Sequence, residues 1–118
     1  MASVSQEWQT ELDYCRRAIS HINAMEPRPA FACMCGDLVD MMPDMFPSEG
    51  TREWRVETQI KQFQDFQSVW RQLSPDVPLV CVCGNHDVGN TPTTESIDTY
   101  KSFFGDDYFA FWCNGCYF

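Results

Sequence analysis

Gly84-Asn85-His86-Asp87, read together with Gly36-Asp37-Leu38-Val39-Asp40 earlier in the chain, decides the fold. Each stretch follows directly on a short apolar run with a strand's composition, residues 30–35 before the first and 78–83 before the second, and one helix-like segment lies between. That order is the pattern of a βαβ unit with a polar cluster at the exit of both strands. Ligands of open α/β sheets gather outside the carboxyl ends of parallel strands, so the two loops are expected side by side at one edge. Asp, Asn and His are hard-to-borderline metal ligands and proton carriers, a set suited to phosphate chemistry with divalent ions.

Working outward, Phe31 to Cys35 is apolar without alternation, as expected of a parallel strand covered by helices on both faces, and the strand at 79–83 reads the same way. Val56, Ile60, Phe63, Phe66, Trp70 and Leu73 mark an amphipathic crossover helix that Ser74-Pro75-Asp76 stops. Between Asp40 and about Glu53 there are two prolines, a glycine, three methionines and no period, which points to a functional loop over the site. Arg52, Trp54 and Arg55 at its end either reach a phosphate or stand as exposed residues at a helix start.

Upstream, Trp8, Leu12, Cys15, Ile19 and Ile22 recur at steps of four and three, which predicts an amphipathic helix over residues 6–25 with Ser5 as N-cap. Pro27 and Pro29 end it, and His21 falls off the apolar stripe, as a solvated residue would. Downstream, Thr91-Pro92-Thr93 opens a short helix over residues 92–104 that Gly105 closes. A strand over 108–113, an Asn114-Gly115 type I′ turn and a return strand from Cys116 follow. A return strand of three residues is unfinished, so a longer protein is expected.

The 118 residues suit one domain, and 44% hydrophobic with 21% charged residues suits a globular one. A net charge of -9 repels polyanions, which argues against DNA or RNA partners. No run approaches the roughly 18 to 20 apolar residues of a membrane span, and the first residues lack a signal peptide's basic and apolar regions, so the expectation is a cytoplasmic protein without a membrane partner. Seven cysteines are an odd count, and Cys33, Cys35, Cys81 and Cys83 alternate within the strands. Zinc motifs carry their cysteines on turns and loops, so these read as buried, reduced core thiols; Cys113 and Cys116, flanking a turn, keep a small zinc module open as an alternative.

The carboxylate of Asp37 has two oxygens and can bridge two cations, and Asn85 adds a neutral carbonyl oxygen. His86, with Asp87 beside it to hold its ring, could donate a proton to a leaving alkoxide. These residues resemble something known. Gly36-Asp37 followed by Gly84-Asn85-His86-Asp87 resembles the second and third signature blocks of the calcineurin-like metallophosphoesterases. The likeness extends through residues 27–40, 78–92 and 105–112 and is similar to a cytosolic serine/threonine phosphatase branch of that superfamily.

The resemblance implies an α/β fold of the αββα sandwich type, here incomplete: a βαβ core with a C-terminal hairpin cut short, so that residues 1–118 form a partial phosphoesterase domain. It also implies two divalent metal ions, with Mn, Fe, Zn and Mg not distinguished. Carried over position by position, Asp37 is the bridging metal ligand, Asn85 a ligand of the second metal, His86 the proton donor or transition-state stabiliser and Asp87 its orienting partner. The family's first aspartate block is expected upstream of Met1, and its later histidine and G-H-x-H block downstream of Phe118. The expected activity is hydrolysis of phosphomonoesters, with phosphoserine or phosphothreonine proteins or small phosphomonoesters as substrates of the longer parent. The chain by itself is expected to be weakly active or inactive. An alternative of another class is a non-catalytic form that binds a protein partner, or a second copy of itself, through an open sheet edge.

Overall fold

Strands β1 (Ala32–Cys35) and β2 (Leu79–Val82) run parallel and in register, Ala32 against Leu79 and Cys35 against Val82. The structure, a computed structural model, describes residues 2–44 and 49–118. Before β1 comes α1 (Ala2–Asn23), and between the strands lies α2 (Arg52–Trp70). After β2 follow α3 (Asn85–Val88), α4 (Thr94–Phe104) and a hairpin of β3 (Trp112–Cys113) and β4 (Cys116–Tyr117). The expected βαβ unit is therefore present, and the mix of helix and strand is that of an incomplete α/β domain.

The helices bury the stripes their sequences carry. Trp8, Leu12 and Ile19 of α1 meet Phe63, Phe66, Val69 and Trp70 of α2 in one core, closed by Leu73, Val77, Val88 and Tyr100. Ala32 and Met34 of β1 and Leu79 and Cys81 of β2 present the covered face of the sheet to that core. Polar bonds fix the helix pair: Trp8 Nε1 donates to Asp65 Oδ2 at 3.0 Å, and Asn23 donates to Gln72 O and accepts from Ser74 N–H. At the other end, Gln67 Nε2 reaches Phe103 O at 2.6 Å and joins α2 to α4.

Several expectations are corrected. Cys33 and Cys35 are exposed rather than buried, because among the described residues the two-stranded sheet carries helices on one face and these residues, with Val82, point to the other. Cys15, Cys81 and Cys83 pack at the core margin, as core thiols would. Helix α1 begins at Ala2, so Ser5 lies inside it and is not its cap. Helix α4 begins at Thr94 rather than Pro92, since Thr93 forms a reciprocal cap with Ser96. Only Trp112 and Cys113 of the strand expected over 108–113 are paired, because the return strand offers few partners; Phe111 and Phe118 add one further pair of backbone bonds.

The hairpin turn itself is as expected, with positive φ at both Asn114 (49°) and Gly115 (83°). His21 is exposed. Arg52 and Arg55 are spent on the helix start, Arg52 on the Asp44 carboxylate and Arg55 on the carbonyls of Pro43, Glu49 and Gly50. The loop expected over the site falls partly on residues 45–48, outside the described residues. Among the described residues no helix is long and apolar enough to cross a membrane.

Phe63 is fully buried at the meeting of α2 and α4 and rests against Phe103 and Phe104. Phe63→Ala is expected to lower unfolding stability by about 3–5 kcal/mol, the usual cost of emptying such a site. Urea denaturation checks this, and a loss under about 1 kcal/mol would contradict the packing described.

Candidate functional site

Both expected loops leave the sheet at the same end, and they touch. The first turns sharply through two left-handed residues, Gly36 (φ 82°) and Asp37 (φ 50°), a conformation that Gly adopts freely and Asp tolerates. The second starts at Gly84, which lies so close that a Cβ there would stand 2.2 Å from Asp37 Oδ1 and 2.4 Å from Asp37 N. Glycine at 84 is thus required by the neighbouring strand's loop rather than by its own backbone angles.

Bonds in both directions join the loops. The His86 N–H donates to Asp37 Oδ1 at 3.0 Å. In return Asp87, 1% exposed, accepts from Leu38 N–H (2.8 Å) and Val39 N–H (3.2 Å) with Oδ1, and from Gly84 N–H (2.7 Å) with Oδ2. Burial pushes the Asp87 carboxyl above its ordinary range; the three N–H donors pull the other way, and nearby Asp37 adds to the rise.

Asp87 therefore does not orient the His86 ring as expected, because both its oxygens are engaged by backbone donors. The ring is held by Asp40 instead, with Nδ1 2.6 Å from the Asp40 carbonyl oxygen. A carbonyl can only accept, so Nδ1 carries the proton, and in the neutral ring Nε2 holds the lone pair. Glu11 of α1 also faces this corner: burial first, then Asp40 and Glu7, push its carboxyl up, while His86 pulls it down.

The structure thus brings Asp37, His86 and Asp87 together with Asn85 next in the chain, but Asn85 turns its amide nitrogen to Asn90 Oδ1 at 2.9 Å. Among the described residues no three or more His, Cys, Asp or Glu gather in a metal-holding group. Divalent ions ask for roughly four to eight donors each, so the carboxylate of Asp37 and the amide of Asn85 do not by themselves fit a metal pair. Cys113 and Cys116 face each other across the hairpin and form no such group either.

Sequence reasoning missed Glu11, Gln59 and Gln62. The two glutamines are buried on α2 and reach both loops. Their signal was present: Gln59, Gln62, Phe63 and Phe66 share one stripe at helical spacing, and polar residues on an apolar stripe need partners.

Gly84→Ala is expected to push the Asp37 loop away and cost about 1–3 kcal/mol of stability. Amide hydrogen exchange should then show the His86 N–H losing its protection; an unchanged His86 amide would contradict the close approach.

No protein-family profile matches the chain, and no solved structure does. Curated relatives do. The chain is 45% identical over 112 residues to the serine/threonine-protein phosphatase CPPED1 of Bos taurus, a match spanning 95% of this chain and 32% of that protein. It is 40% identical over 112 residues to the human protein of that name, with the same coverage, and 38% identical over 113 residues to the Danio rerio one, spanning 96% of this chain and 33% of the relative. The chain spans about a third of the length of the curated relatives it matches. Across that third, and over nearly all its own residues, this chain is a homologue of the CPPED1 serine/threonine-protein phosphatases.

Proposed function

We propose that residues 1–118 carry the two central loops of a phosphatase site that, in a longer protein of αββα sandwich architecture, hydrolyses phosphoserine and phosphothreonine esters with two divalent metal ions. The observation that supports this most is the junction of the loops, in which Asp37 Oδ1 and the His86 N–H are bonded at 3.0 Å. The Asp37 carboxylate and the His86 backbone, from the loops after consecutive parallel strands, thereby meet at one corner. The phosphatase names of the relatives support the reaction class.

In this reading His86 gives a proton from Nε2 to the departing alkoxide. With Nδ1 already protonated against Asp40, only the imidazolium has an Nε2 proton to give. Asp87 holds the two loops together. Asp37 and Asn85 are the metal-facing residues, and two ions need further ligands than these supply. A second reading, a protein-binding module, is favoured by the exposed Val82 on the β1–β2 sheet and by exposed Phe109, Trp112 and Tyr117 in and before the hairpin.

The chain made by itself should show little or no turnover of p-nitrophenyl phosphate with manganese. Turnover that depends on both manganese and His86 would overturn that expectation. Binding tests the site reading directly: manganese added to the labelled chain should broaden the amide signals of Asp37 and Asn85 first, weakly, and no longer in Asp37→Asn. Broadening spread evenly over the acidic surface would count against the metal-facing assignment.

A further inference from the structure

We propose that Gln59 and Gln62 of α2 are positioning residues of this site, and that Gln62 sets which nitrogen of His86 carries the proton. The role rests on the phosphatase reading, but the arrangement stands on bonds of its own. Gln62 is 2% exposed, and its Oε1 accepts from Asp40 N–H at 3.1 Å and Met41 N–H at 2.8 Å. Gln59, three residues earlier and 6% exposed, donates from Nε2 to His86 O at 2.9 Å and Asp87 O at 3.3 Å. One glutamine presents its acceptor to the first loop, and the other presents its donor to the second.

The consequence follows from peptide geometry. The Met41 N–H and the Asp40 carbonyl belong to one planar trans peptide, so they point in opposite directions. By taking the Met41 N–H, Gln62 aims the Asp40 carbonyl away from itself, and that carbonyl is the group 2.6 Å from His86 Nδ1. The order of control runs from Gln62 through one peptide plane to the imidazole. Gln59 meanwhile fixes the backbone of His86 and Asp87 from the same helix face. Because α2 is also the connection between β1 and β2, one rigid helix sets the distance between the two loops.

Isosteric replacement separates this role from packing. In Gln62→Met, amide exchange at Asp40 and Met41 should quicken by on the order of tenfold, the loss of about one hydrogen bond. At alkaline pH the His86 ring nitrogen signals should move toward the mixed tautomer expected of an unconstrained imidazole, with the exposed His21 as the internal comparison. Gln62→Glu keeps an acceptor oxygen and should restore both readings. Amides inside α2, such as Phe66, should stay as protected as in the parent. If Gln62→Met leaves the His86 ring unchanged, or quickens the Phe66 amide as much as Met41, the proposal fails. Should that variant not fold, Gln59→Met carries the test: the Asp87 and Val88 amides, whose peptides carry the two carbonyls that Gln59 holds, must lose protection by a similar factor, and unchanged protection overturns the proposal. None of these readings involves hydrolysis, so their failure leaves the phosphatase reading to its own assay.

Discussion

A single buried carboxylate holds this molecule's two loops to one another. Asp87 is almost without solvent, and a charge in that position is costly unless its oxygens are met. They are met by N–H groups of Leu38, Val39 and Gly84, two from the first loop and one from the second. Each such bond to a charged acceptor contributes about 1.5–3 kcal/mol net. The loops therefore come together because separating them would strand the carboxylate in apolar surroundings between Leu38, Val39 and Val88. The same closure brings the His86 amide onto Asp37, so the geometry of the candidate site is a by-product of satisfying a core residue.

That coupling explains the division of labour along the chain. Helix α2 has one stripe that changes character: Phe63, Phe66, Val69 and Trp70 build the core, and Gln59 and Gln62, nearer the site, supply hydrogen bonds. Glycines serve the opposite need. Gly36 gives the left-handed turn, and Gly84 gives room for Asp37. Rigid support and close approach are both needed where two backbones meet within bonding distance.

Much of this could be read from residues alone, because the signals were local. Steps of three and four named Trp8, Leu12 and Ile19 of α1 and Phe63, Phe66 and Trp70 of α2, all buried, and Asn114-Gly115 named its turn. Asp37 and His86 were placed together because the βαβ pattern puts strand exits at one edge. What could not be read was set by tertiary context. Asp87 sits next to His86 in sequence, yet its side chain turns back into the core, and the imidazole takes a carbonyl from 46 residues away. An apolar run cannot say whether one side of a strand or both will be covered; it predicts Cys33 and Cys35 buried, and the two-stranded sheet leaves them exposed. Helix starts were missed where Thr93 and Ser96 cap each other.

The bare side of that sheet has a chemical result. Cys33 and Cys35 stand in water with free thiols, and Cys116 does too, so dissolved oxygen or a small disulfide can reach sulfur on the outside of the protein. The Cys33 thiol is held above its ordinary ionisation by partial burial and by its neighbour Cys35, which keeps the reactive anion scarce near neutrality. Sulfur-mediated joining of one molecule to the next is therefore expected to be slow near neutrality and faster in alkali, and added reductant is expected to oppose it.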